Sequence, residues 1–324
     1  MEILGDANAT LLDLTRIAEM ELDAPTRMLW PEICSDVKSA DEAYIKIPVQ
    51  TKVAFPVLFD GEREDTSTEV NIVQTYNKAT YALTLDFGSD LMRESKAYNF
   101  SEKTQEGVIS AKIFPNYNLT QMIVANKSGG AYDGKAFYAN NHLWANAGKN
   151  TINNLVARTG GTVTDVYTDL QAAMTRMGTF LNDKGMLLNP NLEYGRGKVL
   201  IHCPKAMEIT FRQLIFGSMI PLPAPVTTSG TAAVSATGPK DIGLSGIADI
   251  YADGYLDAAS ATTWYVHYVG MPQRPFVYSE SYDLQAKALG FGSEFETNTN
   301  KVRIALKHRF VEGFYRFDRS IKVA

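Results

Sequence analysis

The chain has 324 residues, 45% of them hydrophobic and 21% charged, with a formal net charge of −5. That length suggests roughly two domains and enough interior for a proper core, and with no basic tail or arm nothing points to reading of nucleic-acid sequence. Cys34 and Cys203 have no metal or redox spacing and are expected to be reduced; no signal peptide and no apolar stretch of membrane-spanning length is visible.

In chain order, Leu11, Leu12, Leu14, Ile17 and Met20 mark a short amphipathic helix within residues 2–30. Its apolar face has little local sequence to pack on, so its own core and another subunit both remain open as partners. Tyr44 to Phe55 and Val70 to Phe87 are strand-like, and Tyr81, Leu83, Leu85 and Phe87 alternate strictly. Between them Asp60, Gly61, Glu62, Arg63, Glu64 and Asp65 form a charged, turn-prone run. The pattern predicts a long hairpin, 44–82, with a solvated tip. A lone two-stranded hairpin is marginal in water, and on the residues alone it reads as an edge hairpin of the local sheet.

Tyr98 to Lys127 predicts a long helix, with Val108, Ile109, Ile113, Tyr117, Met122 and Ile123 as its apolar stripe. Asn99 or Ser101 can cap its start, and Gly129 with Gly130 can stop its end. Pro115 removes the backbone bond to residue 111. Spacing leaves open one kinked helix or two helices flanking the proline; the stripe keeps its phase across Pro115, and one bent helix is the expectation. A compact turn from Asp133 and Gly134 to His142 follows, across which Asp133 and His142 could meet.

Beyond a polar stretch ending at Gly160 and Gly161, Thr162 or Thr164 caps a helix with Val166, Leu170, Met174, Met177 and Leu181 on one face. Lys198 to Cys203 is a buried-type strand, and Pro204 opens a helix carrying Ile209, Phe211 and Leu214. Pro221 to Pro239 is a long loop. Short strands follow at 247–251, 264–269 and 276–278, then Val302, Ile304 and Leu306 alternate before Phe314 to Phe317. Strands on both sides of the middle block suggest an α+β domain that the chain leaves and re-enters, with residues 136–274 inserted.

Few motifs for chemistry stand out. Gly129 to Lys135 has phosphate-loop spacing as far as its lysine, but Ala136 stands where Ser or Thr should hold magnesium, and the run follows a helix. There is no G-x-S-x-G elbow, no H-E-x-x-H and no complete dinucleotide fingerprint. Adjacent His202 and Cys203 on a strand point to opposite faces and cannot share a metal. Catalytic, cofactor and metal residues are therefore expected to be absent, and His142 is read as structural.

A resemblance joins these pieces. Asp133-Gly-Lys-Ala-Phe-Tyr138 with Asn141-His142, the preceding Tyr81-to-Ser95 run, Trp264-Tyr-Val with Gln273-Arg-Pro-Phe-Val-Tyr278, and His308-Arg-Phe with Gly313-Phe-Tyr-Arg316 are similar, in order, to the Mu-type major head subunits of tailed phages. The resemblance implies a Hong Kong 97-type capsid fold with four parts. These are an amino-terminal arm (1–43), an extension loop (44–82), a peripheral domain (83–135 and 275–324, its spine helix at about 98–127) and an axial domain (136–274). It implies a non-enzymatic shell subunit, forming pentamers and hexamers around double-stranded DNA without sequence-specific binding. Portal and possibly scaffolding or decoration proteins would be its partners; assembly would take place in the host cytoplasm, without a membrane. An encapsulin-like nanocompartment shell is the alternative within this fold, and a soluble hydrolase the alternative outside it. No cofactor is implied.

Overall fold

The computed structural model describes residues 13–22, 26–38, 43–50, 70–94, 100–144, 151–192, 198–216 and 248–324. The hairpin-tip candidates Asp60, Glu62, Arg63, Glu64 and Asp65, the helix cap Asn99 and the Pro221–Pro239 loop lie outside the described residues.

Helix α1 covers 13–22, and α2 (Trp30–Ile33) leads into β1 (Cys34–Asp36). Strands β2 (Tyr44–Gln50) and β3 (Val70–Asn77) pair antiparallel. After a single residue comes β4 (Ala79–Gly88), followed by α3 (Ser89–Glu94) and the long α4 (Phe100–Ala125). The middle block holds β5 (His142–Leu143), β6 (Thr151–Ile152), β7 (Leu155–Val156), α5 (Val163–Gly178), β8 (Val199–Pro204), α6 (Glu208–Phe216), β9 (Ala248–Asp253), α7 (Gly254–Ala259) and β10 (Trp264–Tyr268). The chain closes with β11 (Phe276–Leu289), α8 (Glu294–Thr299), β12 (Lys301–Phe314) and β13 (Ser320–Val323).

One sheet has the order β1-β11-β12-β4. Along β12, Val302, Ile304, Leu306, His308 and Phe310 are buried, whereas Lys301 and Lys307 are exposed and Arg303 and Arg309 partly so. That is the period of two expected of a strand with one face covered. The cover is α4. Gly107 allows the close approach: a Cβ there would stand 2.6 Å from Leu85 Cδ1. Phe100 at the helix start meets Phe87 edge-on at 5.4 Å.

Helix α4 runs through Pro115, which is buried inside it. Its end at Ala125 is two residues short of the expected 127, and residues 98 and 99 lie outside the described residues. The buried face also differs from the expected apolar stripe. It comprises Phe100, Thr104, Gly107, Val108, Pro115, Asn116, Leu119, Thr120 and Ile123, while Ile109 and Tyr117 are each 40% exposed. Polar Asn116 and Thr120 go inside because specific partners await them there, which hydrophobic periodicity does not register.

The second sheet has the order β7-β13-β10-β8-β9. Helix α5 packs on it through Val166, Leu170, Ala173, Met174 and Met177. Thr162 and Asp165 close a capping box at its start. Leu181 lies past the helix, in a bridge to Leu187. Phe211 of α6 meets Trp264 at 4.8 Å, while Ile209 faces outward at 71% exposure.

Three boundaries differ from the sequence expectation. Residues 79–82 belong to β4, paired with Lys307 to Phe310, so the hairpin ends at Asn77 and not at 82. The expected strand 276–278 continues unbroken to Leu289, with register shifts that absorb the irregular Glu280–Gln285 stretch. Residues 320–323, expected with 275–324 in the peripheral domain, form β13 of the second sheet, beside the strands of the middle block. Four residues are too few to show a pattern, although Ile321 and Val323 are both wholly buried.

Candidate functional site

The root of the hairpin is fixed to the rest of the chain. Ile45 and Val49 of β2 are buried, and the Lys78 amide donates to Ala43 O at 2.8 Å where the chain passes from β3 to β4. The Tyr76 ring of β3 packs closely against Gly313 of β12, and its hydroxyl donates to Phe314 O at 2.5 Å. A side chain at residue 313 would occupy the ring's place. Burial pushes the Tyr76 hydroxyl pKa above its ordinary range. Tyr44 and Val73 of the hairpin are exposed. The described part of the hairpin is thus anchored at its base.

The exit of α4 is a second ordered feature. Asn126, at φ 40°, accepts from the Tyr138 amide at 2.8 Å and donates to Tyr138 O at 3.1 Å. Gly129 and Gly134 both take positive φ, where a side chain would strain the backbone. His142 Nδ1 lies 2.8 Å from Asp133 Oδ2 and Nε2 lies 3.0 Å from Phe137 O, while the ring stacks on Phe317 at 4.1 Å. Burial would raise the Asp133 carboxyl pKa. Hydrogen bonding to His142, the His142 charge, the Lys135 amide and the Lys135 charge outweigh it, leaving the carboxyl below its usual range. Asn154 ties the loop down, donating to Phe137 O at 2.8 Å and Phe317 O at 3.2 Å. Lys135 Nζ donates to Asn141 O, so the lysine of the phosphate-loop spacing is engaged within the turn.

A polar seam joins α4 to the second sheet. Asn116 accepts from the Leu29 amide at 2.6 Å and donates to Tyr251 Oη at 2.5 Å. Thr120 donates to Asp253 Oδ2 at 2.6 Å, and the same oxygen lies 3.1 Å from His202 Nε2. Burial raises the Asp253 carboxyl, but bonds from His202 and Thr120 more than reverse this and hold it low. His267, behind His202, is pushed well below the usual histidine range by burial and by the His202 charge. At the end of β12, Arg316 and Asp318 form a buried two-pronged pair at 2.7 Å.

These groups position elements. His142, His202 and His267 are sealed in the interior, and His308 lies between Tyr278 and Glu280. Burial pushes the thiol of Cys203 up to about 12 and that of Cys34 well up, which leaves both unreactive. Among the described residues no group of three or more His, Cys, Asp or Glu side chains is placed to hold a metal ion. No described helix is long and apolar enough to cross a membrane. The sequence reading missed Tyr76, Asn116, Thr120 and Asp253. Gly313 inside a strand was the one available signal, since such a glycine often marks a close approach by another group.

No protein-family model matches the chain, and no curated protein matches it. Among solved structures, the capsid of the Cyanophage P-SCSP1u is similar at a TM-score of 0.55 and 11% identity, over 93% of this chain and 89% of that one. The mature capsid of bacteriophage PhiM1 is similar at a TM-score of 0.54 and 13% identity, over 93% of this chain and 87% of that one. The architecture is the α+β Hong Kong 97-type capsid fold. Helix α4 and the two sheets it joins are its frame.

Proposed function

We propose that this chain is the major capsid protein of a tailed bacteriophage or prophage, of the Mu-type head family. The observation that carries the reading is likeness in fold to two phage capsid structures over 93% of the chain. The ordered motifs from Tyr81 to Arg316 support the Mu-type assignment. Its action is assembly, not catalysis: one fold makes slightly different contacts in pentamers and hexamers and closes an icosahedral virion shell in the host cytoplasm. Residues 1–43 act as the arm. The hairpin from Tyr44, rooted at Tyr76, is the extension loop carrying the Asp60–Asp65 tip to a neighbour. Residues 83–135 and 275–319 form the peripheral domain, stiffened by a spine helix bent at Pro115. Residues 136–274, completed by β13, form the axial domain, which the Asp133–Gly134–His142 turn joins to the spine. Portal and scaffolding or decoration proteins are partners, and the enclosed DNA is held without sequence recognition. A mildly negative chain suits a wall along which DNA must move, because cationic walls bind phosphates strongly.

Size-exclusion chromatography followed by negative-stain microscopy tests this. Pentamers, hexamers or closed particles are expected. A subunit that stays monomeric at all concentrations and ionic strengths overturns the proposal, and particles enclosing a protein cargo without DNA transfer it to a nanocompartment shell.

A further inference from the structure

A cavity of about 670 Å³ lies where α1 and the segment leading to α2 meet α4, β11 and β12. That volume is in the range of small-molecule sites, roughly 300–1,000 Å³. Part of its wall is aromatic, because Trp30 stacks on Tyr278 at 4.0 Å. Leu22, Met28, Pro115 and Leu284 add aliphatic surface.

The charges around this space do not balance. Three carboxylates, Glu19, Glu280 and Asp283, line it against one lysine, Lys112, whose ammonium donates to Glu21 O at 3.0 Å. Asp283 and Glu280 are hydrogen-bonded to each other. That bond and the Glu280 charge raise the Asp283 carboxyl pKa, and the opposing charges of His308 and Lys38 do not reverse it. Glu280 is held low, first by its hydrogen bond with His308. The two carboxyl groups thus hold a proton between them where a cation would serve both. His308 also lines the cavity and is 8% exposed. Its Nε2 lies 3.4 Å from Glu280 Oε2 and 3.4 Å from Tyr278 Oη, while Nδ1 has no partner. With the Nε2 proton directed at the carboxylate, Nδ1 is left as an acceptor. The lining is therefore rich in acceptors and short of donors. Among the described residues no three His, Cys, Asp or Glu side chains are placed to hold a metal ion, and the space far exceeds the roughly 30 Å³ of one water molecule.

We propose that this cavity binds a small aliphatic amine, with its ammonium on Glu280 and Asp283 and its methylene chain along Trp30 and Leu284. An ammonium is a compact charge with three N–H donors, which suits a pair of carboxylates. Indole is the ring that attracts cations most strongly. Because α1 supplies one wall, the bound amine ties that helix to the sheet.

Isothermal calorimetry of the full-length protein with butylamine hydrochloride, at ionic strength held constant with sodium chloride, tests this. Saturable binding of one amine per chain is expected, with no comparable binding of butanol. Asp283 is exposed, so Asp283→Asn should fold as the wild type does by circular dichroism. It should nevertheless bind the amine about tenfold more weakly or worse, having lost one of the two charges that face the ammonium. Asp283→Lys, which seats an ammonium beside Glu280 permanently, should abolish binding and raise the melting midpoint. Amide exchange at residues 13–22 should slow when amine is added to the wild type but not to Asp283→Lys. Absence of saturable binding, equal affinity in the wild type and Asp283→Asn, or equal affinity for butanol overturns the inference. Magnesium chloride binding more tightly than the amine also overturns it, and assigns the carboxylates to an inorganic cation. The site lies within one chain, so its failure leaves the shell reading untouched.

Discussion

Replacing Gly313 by alanine should detach the root of the hairpin. The added methyl would overlap Tyr76 Cε1 and Cδ1 and stand 3.2 Å from Val277 Cγ1. The Tyr76 ring would have to retreat by about 1 Å or more to regain an ordinary carbon–carbon contact of about 3.5–4 Å. That movement pulls its hydroxyl from Phe314 O, now 2.5 Å away. Overpacking of a filled site costs about 1–3 kcal/mol, and a lost hydrogen bond about 1 kcal/mol, so Gly313→Ala should destabilise the subunit by about 2–4 kcal/mol. The assay is urea unfolding of dissociated subunits in a double-mutant cycle with Tyr76→Ala. With the ring gone the nearest of these contacts that remains is Val277 Cγ1 at 3.2 Å, and the cost of Gly313→Ala should drop below about 1 kcal/mol. Equal cost in both backgrounds would refute the claim that Tyr76 is what requires glycine at 313.

Three other outcomes are expected. Asp253 has its carboxyl pKa depressed in the folded state; that stabilisation is complete above the unfolded value of about 3.9 and is lost as pH falls through the folded value. Melting midpoints between pH 2 and 6 should therefore fall less steeply in Asp253→Asn than in the wild type, from a lower plateau. Glu312 is the opposite case: burial pushes its carboxyl pKa well up despite a 2.9 Å bond from Asn118, so its contribution is whole below about pH 4.3 and erodes as pH rises toward the folded value. Glu312→Gln should thus remove part of the loss of stability on the alkaline side, and identical pH profiles would show that Glu312 is not buried uncharged. Finally, replacing Gly61 to Thr68 by Asn-Gly should leave the helix signal in circular dichroism nearly unchanged while closed particles disappear from negative-stain images; loss of helix signal would mean that the tip belongs to the subunit's own core.

The sequence disclosed those elements whose burial is apolar and periodic. Alternation along β4 and β12, the capping box at Thr162 and the apolar face of α5 follow from side-chain periods of 2 and 3.6. Periodicity misread α4 because its inward face is partly polar: Asn116 and Thr120 are buried with partners from residues 29, 251 and 253. Such pairings join positions more than 80 residues apart, and no local window contains them. Strand β13 escaped for a related reason, since its place is decided by β7 and β10 rather than by its own four residues. The helix exit was legible as a turn from Gly134 and the Asp133–His142 spacing, but Asn154 and Phe317, which fasten it, gave no sign.

The position of β13 also bears on the order in which the chain can fold. It lies between β7 and β10, so the parallel partner at residues 155–156 joins the sheet only through residues 320–323. During synthesis, at about 5–20 residues per second, the chain from β8 to β10 emerges well before the strand that links it to β7. The spine helix and the hairpin root face the same delay, because β12 covers the one and supplies Gly313 to the other. The second sheet therefore closes only when residues 320–323 have been made, later than the strands they join.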